Sequence, residues 1–341
     1  MSKPVDIKIA HISREKVNNE SLEKDAVFDI FQKNHNEILK YFFKFQQAWV
    51  NNAYKAFNDF DSYFVLMYLV NKVFINLSDR FHYMSFESFY GQDKLLIEKI
   101  NLIEISKALG IPKETIRRKI NFLQEKDIIY RQGKSIYLNV KELDSQKPDN
   151  AIKQISLILN KFSEILSSQK WFGDAIKQED IEKFINEHFT VSWEYYYRFQ
   201  VPYLTRHRSF FGDLESWNVW GSIGLVQIRE LIEKTKKQVI DSAKNYNDFY
   251  LMTLKNKAKR GINASSISDI SGIPRATVIR KLKTMEKKKL IFRNKNLEYS
   301  MGHQPEHLKG IQQNYLMTQE ALSDYATTMY NLMKYSKLKL I

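Results

Sequence analysis

Apolar and polar positions alternate with helical spacing over most of this chain. From Leu102 to Leu109 the run LIEISKAL places Ile105 and Leu109 on one face. Gly110 breaks the run, Ile111 plugs the turn, and Pro112 stops the first helix and suits the opening of a second. That second helix is predicted from about Lys113 to Lys126, with Ile116, Ile120 and Leu123 as its buried stripe. Next come IIYR and SIYLNV, two strand-like runs flanking a turn at Gln132, Gly133 and Lys134. Helical spacing returns in NAIKQISLILNKFSEIL, Asn150 to Leu166, after the polar stretch LDSQKPDN at 143–150. The most apolar stretch, YFVLMYLV from Tyr63 to Val70, falls far short of the ~20 residues a membrane span requires and reads as a buried helix.

The pattern occurs twice. GIPKETIRRK begins at Gly110, and GIPRATVIRK begins 162 residues on, at Gly272. Over Ile105–Arg131 aligned with Ile267–Arg293, 11 of 27 positions are identical. Upstream, YFFKFQQAW (41–49) resembles YYYRFQVPY (195–203), and FNDFDSY (57–63) resembles FGDLESW (211–217), both at an offset of 154. Two matches in the same order imply an internal duplication. The expected organisation is an N-terminal tail, 1–21, a first unit at 22–170 and a second at 176–341. The two motifs lie at 102–140 and 264–301. The aromatic stripes YFFKF and YYYRF read as core and as packing between the lobes.

Helix, glycine turn, helix with a basic outer face, then a hairpin: this resembles the bacterial winged helix-turn-helix transcription regulators of the MarR-like kind. The likeness covers about 40 residues per copy, Leu102–Val140 and Ser265–Met301. It implies a mainly α fold with small β-hairpin wings, here two tandem winged helix-turn-helix units in a pseudo-two-fold arrangement. It implies that the second helix of each motif enters the major groove of double-stranded DNA. In the first copy Lys113, Thr115, Arg117, Arg118, Lys119 and Asn121 would face DNA, with Arg131 and Lys134 on the wing. In the second copy the counterparts are Arg275, Thr277, Arg280, Lys281 and Lys283, with Arg293 and Lys295 on the wing. An α-helix fits the major groove, and arginine pairs bidentately with guanine. Family members are half this length and dimerise, so this chain would read two half-sites roughly 34–36 Å apart as a single-chain pseudo-dimer. A homodimer is compatible with the same reading. The copies differ: Lys113–Glu114 becomes Arg275–Ala276, and Arg117 becomes Ile279. Unlike half-sites are therefore expected.

Charge supports a polyanionic partner. Lys and Arg number 53 against 39 Asp and Glu, a net charge of +14 over 341 residues. The 43% hydrophobic content is that of a globular protein. With no cysteine, disulfides, thiolate metal sites and a cysteine nucleophile are excluded. Gly133-Lys134-Ser135 mimics the end of a phosphate loop, but Ile128 stands where the first glycine belongs. No HExxH or GxSxG motif occurs, and the seven histidines are scattered. Neither an enzyme, a metal nor a cofactor is indicated. The N-terminus has no apolar run of signal-peptide length, so the chain is expected in the cytoplasm at the nucleoid, without membrane association. Its wealth of Lys, Asn and Ile suits an AT-rich bacterial genome. A small-molecule effector between the lobes is compatible with this reading. Two other functions share the pattern: a plasmid-type replication initiator with duplicated winged helices, and a winged-helix protein-interaction scaffold.

Overall fold

A computed structural model describes residues 22–97, 100–133, 135–169, 174–234, 243, 246–255, 261–302 and 304–337. The structure is mainly helical, with two small antiparallel sheets. Two compact units divide it. Unit 1 takes Asp61–Tyr203, the described residues up to Ile30, and those from Glu320 on. Unit 2 takes Phe31–Phe60 and Leu204–Gln319. These units are not the two sequence blocks: unit 2 contains residues of the first block, and unit 1 contains residues of the second.

Unit 1 is built on α3 (Phe60–Asp79), which follows α1 (Lys24–Lys33) and α2 (His35–Phe57) in the chain. The apolar run at 63–70 lies within α3, and Phe64, Val65, Leu66, Met67, Leu69 and Val70 are all buried. No helix among the described residues is long and apolar enough to cross a membrane. Then come the short α4 (Phe86–Tyr90), β1 (Lys94–Ile97), α5 (Leu102–Leu109), α6 (Lys113–Glu125), β2 (Ile129–Gln132) and β3 (Ser135–Asn139). The strand order is β1-β3-β2, all antiparallel. Strand β1 was not foreseen. It pairs Leu95 with Leu138 and Ile97 with Ile136, and burying these residues turns a bare hairpin into a three-stranded sheet. Helix α7 (Asp149–Ser168) buries Ile152, Ile155, Ile158, Leu159, Phe162, Ile165 and Leu166, the apolar stripe expected from the sequence.

Aromatic side chains fill the rest of this core. Phe74 of α3 lies 5.3 Å from Phe89, 5.8 Å from Phe189 and 5.9 Å from Tyr197, ring centre to ring centre. Phe189 begins α9 (Phe189–Phe211), which follows α8 (Gln178–Glu187). The carboxylate of Glu194, 2% exposed, accepts hydrogen bonds from Ser78 Oγ and from Arg198 at 2.5 Å each. A buried charge without such partners would cost several kcal/mol. Of YYYRF, Tyr196, Tyr197 and Phe199 are core residues.

Unit 2 is built on α10 (Leu214–Lys234), which packs against α2 and the second motif. That motif comprises α12 (Ala264–Ser271), α13 (Arg275–Lys287), β4 (Ile291–Arg293) and β5 (Tyr299–Met301), and follows α11 (Tyr246–Lys255). Helix α14 (Pro305–Lys337) ends the described chain. The last carbonyls of any helix lack internal donors. Here side-chain amides supply two: Asn51 of α2 donates to Ile270 O at 2.5 Å, and Asn218 of α10 donates to Ser271 O at 3.2 Å. Further along α10, Gln227 Oε1 accepts from the N–H of Met301 at 2.8 Å, which fixes β5 to the same helix.

Candidate nucleic-acid interface

Each unit carries one short helix pair of the helix-turn-helix pattern. In unit 1, Asn101 caps α5 by accepting from the N–H groups of Ile103 (3.1 Å) and Glu104 (3.3 Å). Gly110 closes α5 in the left-handed region, φ 63°, where a Cβ would be strained. Ser106 Oγ then donates to Ile111 O at 2.6 Å, while Ile111 itself is buried. Pro112 sits one residue before α6 with an extended ψ of 138°, so it precedes the helix rather than opening it. Ile116, Ile120 and Leu123 pack inward.

The outer face of α6 is thereby fixed. Lys113, Arg117, Arg118 and Asn121 are exposed, and Thr115 and Lys119 are half-buried. Arg118 donates to Thr115 Oγ1 at 3.3 Å. Arg117 pairs with Glu114 one turn back. Both members of that pair are well exposed, so it is worth little and can yield to a phosphate. Arg131 is exposed on β2. Gly133 takes φ 63° in the wing turn, and Lys134 lies outside the described residues.

Two side chains on α3 hold this helix pair in place. Tyr68 donates to Glu104 Oε1 at 2.7 Å, and the Lys72 ammonium reaches the same oxygen at 2.5 Å. The Lys72 hydrogen bond first, and then that from Tyr68, holds the Glu104 carboxyl below its ordinary pKa. Sequence pattern alone does not reveal this brace, because its partners lie 32 and 36 residues apart on different elements.

In unit 2 the turn is built from equivalent bonds. Asn263 accepts from the N–H of Ser266 at 2.9 Å, Gly272 has φ 70°, and Ser268 Oγ donates to Ile273 O at 2.7 Å. Val278, Leu282 and Met285 pack inward from α13. Arg275, Arg280 and Lys283 are exposed, and Thr277 is half-buried. Arg275 donates to Ser265 Oγ at 3.1 Å. Lys295 is exposed at the tip of the β4–β5 hairpin, where Asn294 Oδ1 accepts from the N–H groups of Asn296 and Glu298 at 2.9 Å each. Arg293 pairs with Glu286 of α13 at 3.3 Å.

Lys281 departs from its expected place. Its side chain is only 15% exposed, and its ammonium lies 2.6 Å from Asp213 Oδ2 and 3.8 Å from Glu215. The other carboxylate oxygen, Asp213 Oδ1, accepts from the N–H of Ser216 at 2.7 Å at the start of α10. Lys281 therefore anchors α13 to α10, and its charge is spent inside the unit. Burial raises the pKa of Asp213, but the hydrogen bonds from Lys281 and Ser216 outweigh it and leave the carboxyl below its ordinary value of 3.8. A depressed carboxyl pKa gives stability that is full above the ordinary value and lost as pH falls through the folded one. Asp213→Asn should therefore be less stable than the parent chain near neutral pH, with the gap closing below about pH 4. Chemical unfolding followed at several pH values tests this; a gap that stays constant with pH would remove the ion pair from the explanation.

Residues 97–133 match the DeoR-like helix-turn-helix domain family. The match runs from the end of β1 through both helices to the wing turn. No curated protein matches. No solved structure matches. The MarR-like resemblance rests on the sequence pattern alone. With the geometry of α5, α6 and the hairpin, the domain match supports a winged helix-turn-helix DNA-binding protein and, from that, a transcription regulator.

Proposed function

We propose that this chain is a sequence-specific regulator of transcription that binds double-stranded DNA through two recognition helices, α6 and α13, as a single-chain pseudo-dimer. The observation that carries this reading is the repetition of one turn with its main bonds. An asparagine cap, a glycine at φ 63–70°, a serine hydroxyl on the carbonyl just past that glycine and a buried isoleucine recur 162 residues apart. Each turn precedes a helix with an apolar inner face and exposed arginines outside. On α6 the contacts to DNA would come from Lys113, Thr115, Arg117, Arg118, Lys119 and Asn121. On α13 they would come from Arg275, Thr277, Arg280 and Lys283. Arg131, Lys134, Arg293 and Lys295 would meet the backbone from the wings. Lys281 drops out of this set and becomes a positioning residue.

The test is selection from a random duplex library by the purified chain, followed by footprinting of the winners. One enriched site with two unlike half-sites is the expected outcome. Arrays of one repeated element would instead indicate a replication initiator. No enrichment, with no salt-dependent duplex binding, would leave a protein-interaction scaffold. Wing contacts carry their own prediction. Lys295→Ala should weaken binding to all duplexes alike and lower the salt slope by about one unit. A loss confined to certain sequences would place Lys295 on a base edge.

A further inference from the structure

A half-open cleft of about 380 Å³ lies in unit 1 between the end of α3 and strand β1. Its volume suits a small molecule rather than a macromolecule. Val73, Leu77, Met84 and Leu95 give it an apolar wall. Three further lining residues, Arg80, His82 and Lys94, carry or can carry positive charge, and no lining residue is acidic. The nearby Asp93 is engaged by Lys141 at 2.7 Å. Asn76 also lines the cleft, and its Nδ2 is shielded from solvent without an acceptor among the described residues. A buried donor with no acceptor is costly, and a bound acceptor would satisfy it.

Two features beside the cleft point the same way. Phe81, between Arg80 and His82, is 73% exposed and has φ 54°, a strained conformation for a bulky side chain. Lys94 links the cleft to the wing. Its ammonium donates to Gln132 Oε1 at 3.0 Å and lies 5.0 Å from the centre of the Tyr137 ring. Gln132 is the last residue of β2, and it pairs with Ser135 across the wing turn.

We propose that this cleft binds a small organic monocarboxylate with an apolar body, and that the carboxylate draws Lys94 away from Gln132. The apolar wall holds the body of the ligand. Its carboxylate oxygens accept from Arg80, from Lys94 and from the waiting Asn76 amide. Releasing Gln132 loosens the end of β2 next to the wing turn. The regulatory meaning of that release rests on the DNA-binding reading above, whereas the site itself does not.

Calorimetric titration of the full chain without DNA tests the site separately. The probes are aliphatic and aromatic monocarboxylates of about four to eight carbons, sized to the cleft, each beside its primary amide. Carboxylates should bind at least about tenfold more tightly than their amides, since a charge-assisted hydrogen bond is lost in the amide. Arg80→Ala should erase that preference, and Leu77→Trp, which fills the cleft, should abolish binding. Gln132→Ala, which frees Lys94, should raise carboxylate affinity severalfold. Thermal unfolding of each variant confirms that it folds. Absence of binding across the panel would overturn the proposal, as would binding that neither Arg80→Ala nor Leu77→Trp changes. An unchanged affinity in Gln132→Ala would overturn the hand-over of Lys94.

Discussion

Replacing Arg118 and Arg280 together by alanine should lower affinity for a selected DNA site by about 2–6 kcal/mol. One bidentate arginine–guanine contact is worth about 1–3 kcal/mol, and losses at independent sites add. Both arginines are exposed at equivalent positions of α6 and α13, one turn past the start of each helix. Arg118 is held near the helix by Thr115, whereas no hydrogen bond from Arg280 to Thr277 recurs among those of the second helix. The single variants separate the two helices. Arg118→Ala should relax base preference in one half of the footprint and Arg280→Ala in the other. If both relax the same half, a single-chain pseudo-dimer is the wrong description. Affinities must be compared at one salt concentration, because phosphate contacts alone shift them by orders of magnitude.

The largest effect on stability is expected from Phe74→Ala, about 3–5 kcal/mol, the usual cost of removing a fully buried phenylalanine. Phe74 is 1% exposed and touches rings from α4 and α9. Its helix, α3, also carries Tyr68 and Lys72, which hold Glu104 and thereby α5. Loosening this core should therefore weaken DNA binding as well, although Phe74 is buried far inside the surface that meets solvent. Urea unfolding gives the first number and duplex titration the second. A midpoint unchanged by the substitution would mean the aromatic cluster contributes little, and an unchanged duplex affinity would uncouple α3 from the helix pair.

The helix-turn-helix itself is legible in the residues. Gly110 and Gly272 mark turns that require positive φ, and the spacing of Ile116, Ile120 and Leu123 fixes which face of α6 is outside. These signals are local, so one sequence suffices. What was missed depends on partners far along the chain. Strand β1 is the four residues KLLI, too short to be told from a turn of helix by periodicity, and it is defined only by pairing with β3. Lys281 is identical in the aligned motif to Lys119, yet it meets Asp213, 68 residues away. Nothing in the local pattern of the motif points to a carboxylate that far upstream. The aromatic stripes were legible as core, and Phe42, Phe45, Tyr196 and Tyr197 are buried, but the unit each would join was not legible.

That last point bears on how the chain is made. Unit 2 includes Phe31–Phe60 yet is not complete until Gln319, and unit 1 includes Asp61–Tyr203 yet draws its last helical segment from Glu320 onward. On the ribosome, then, the early helices wait for partners synthesised hundreds of residues later. A message cut short between the two motifs would yield no half-sized regulator, only a chain whose apolar faces lack their cover. The two helix pairs are bound to a single fate by the order in which their supports are translated.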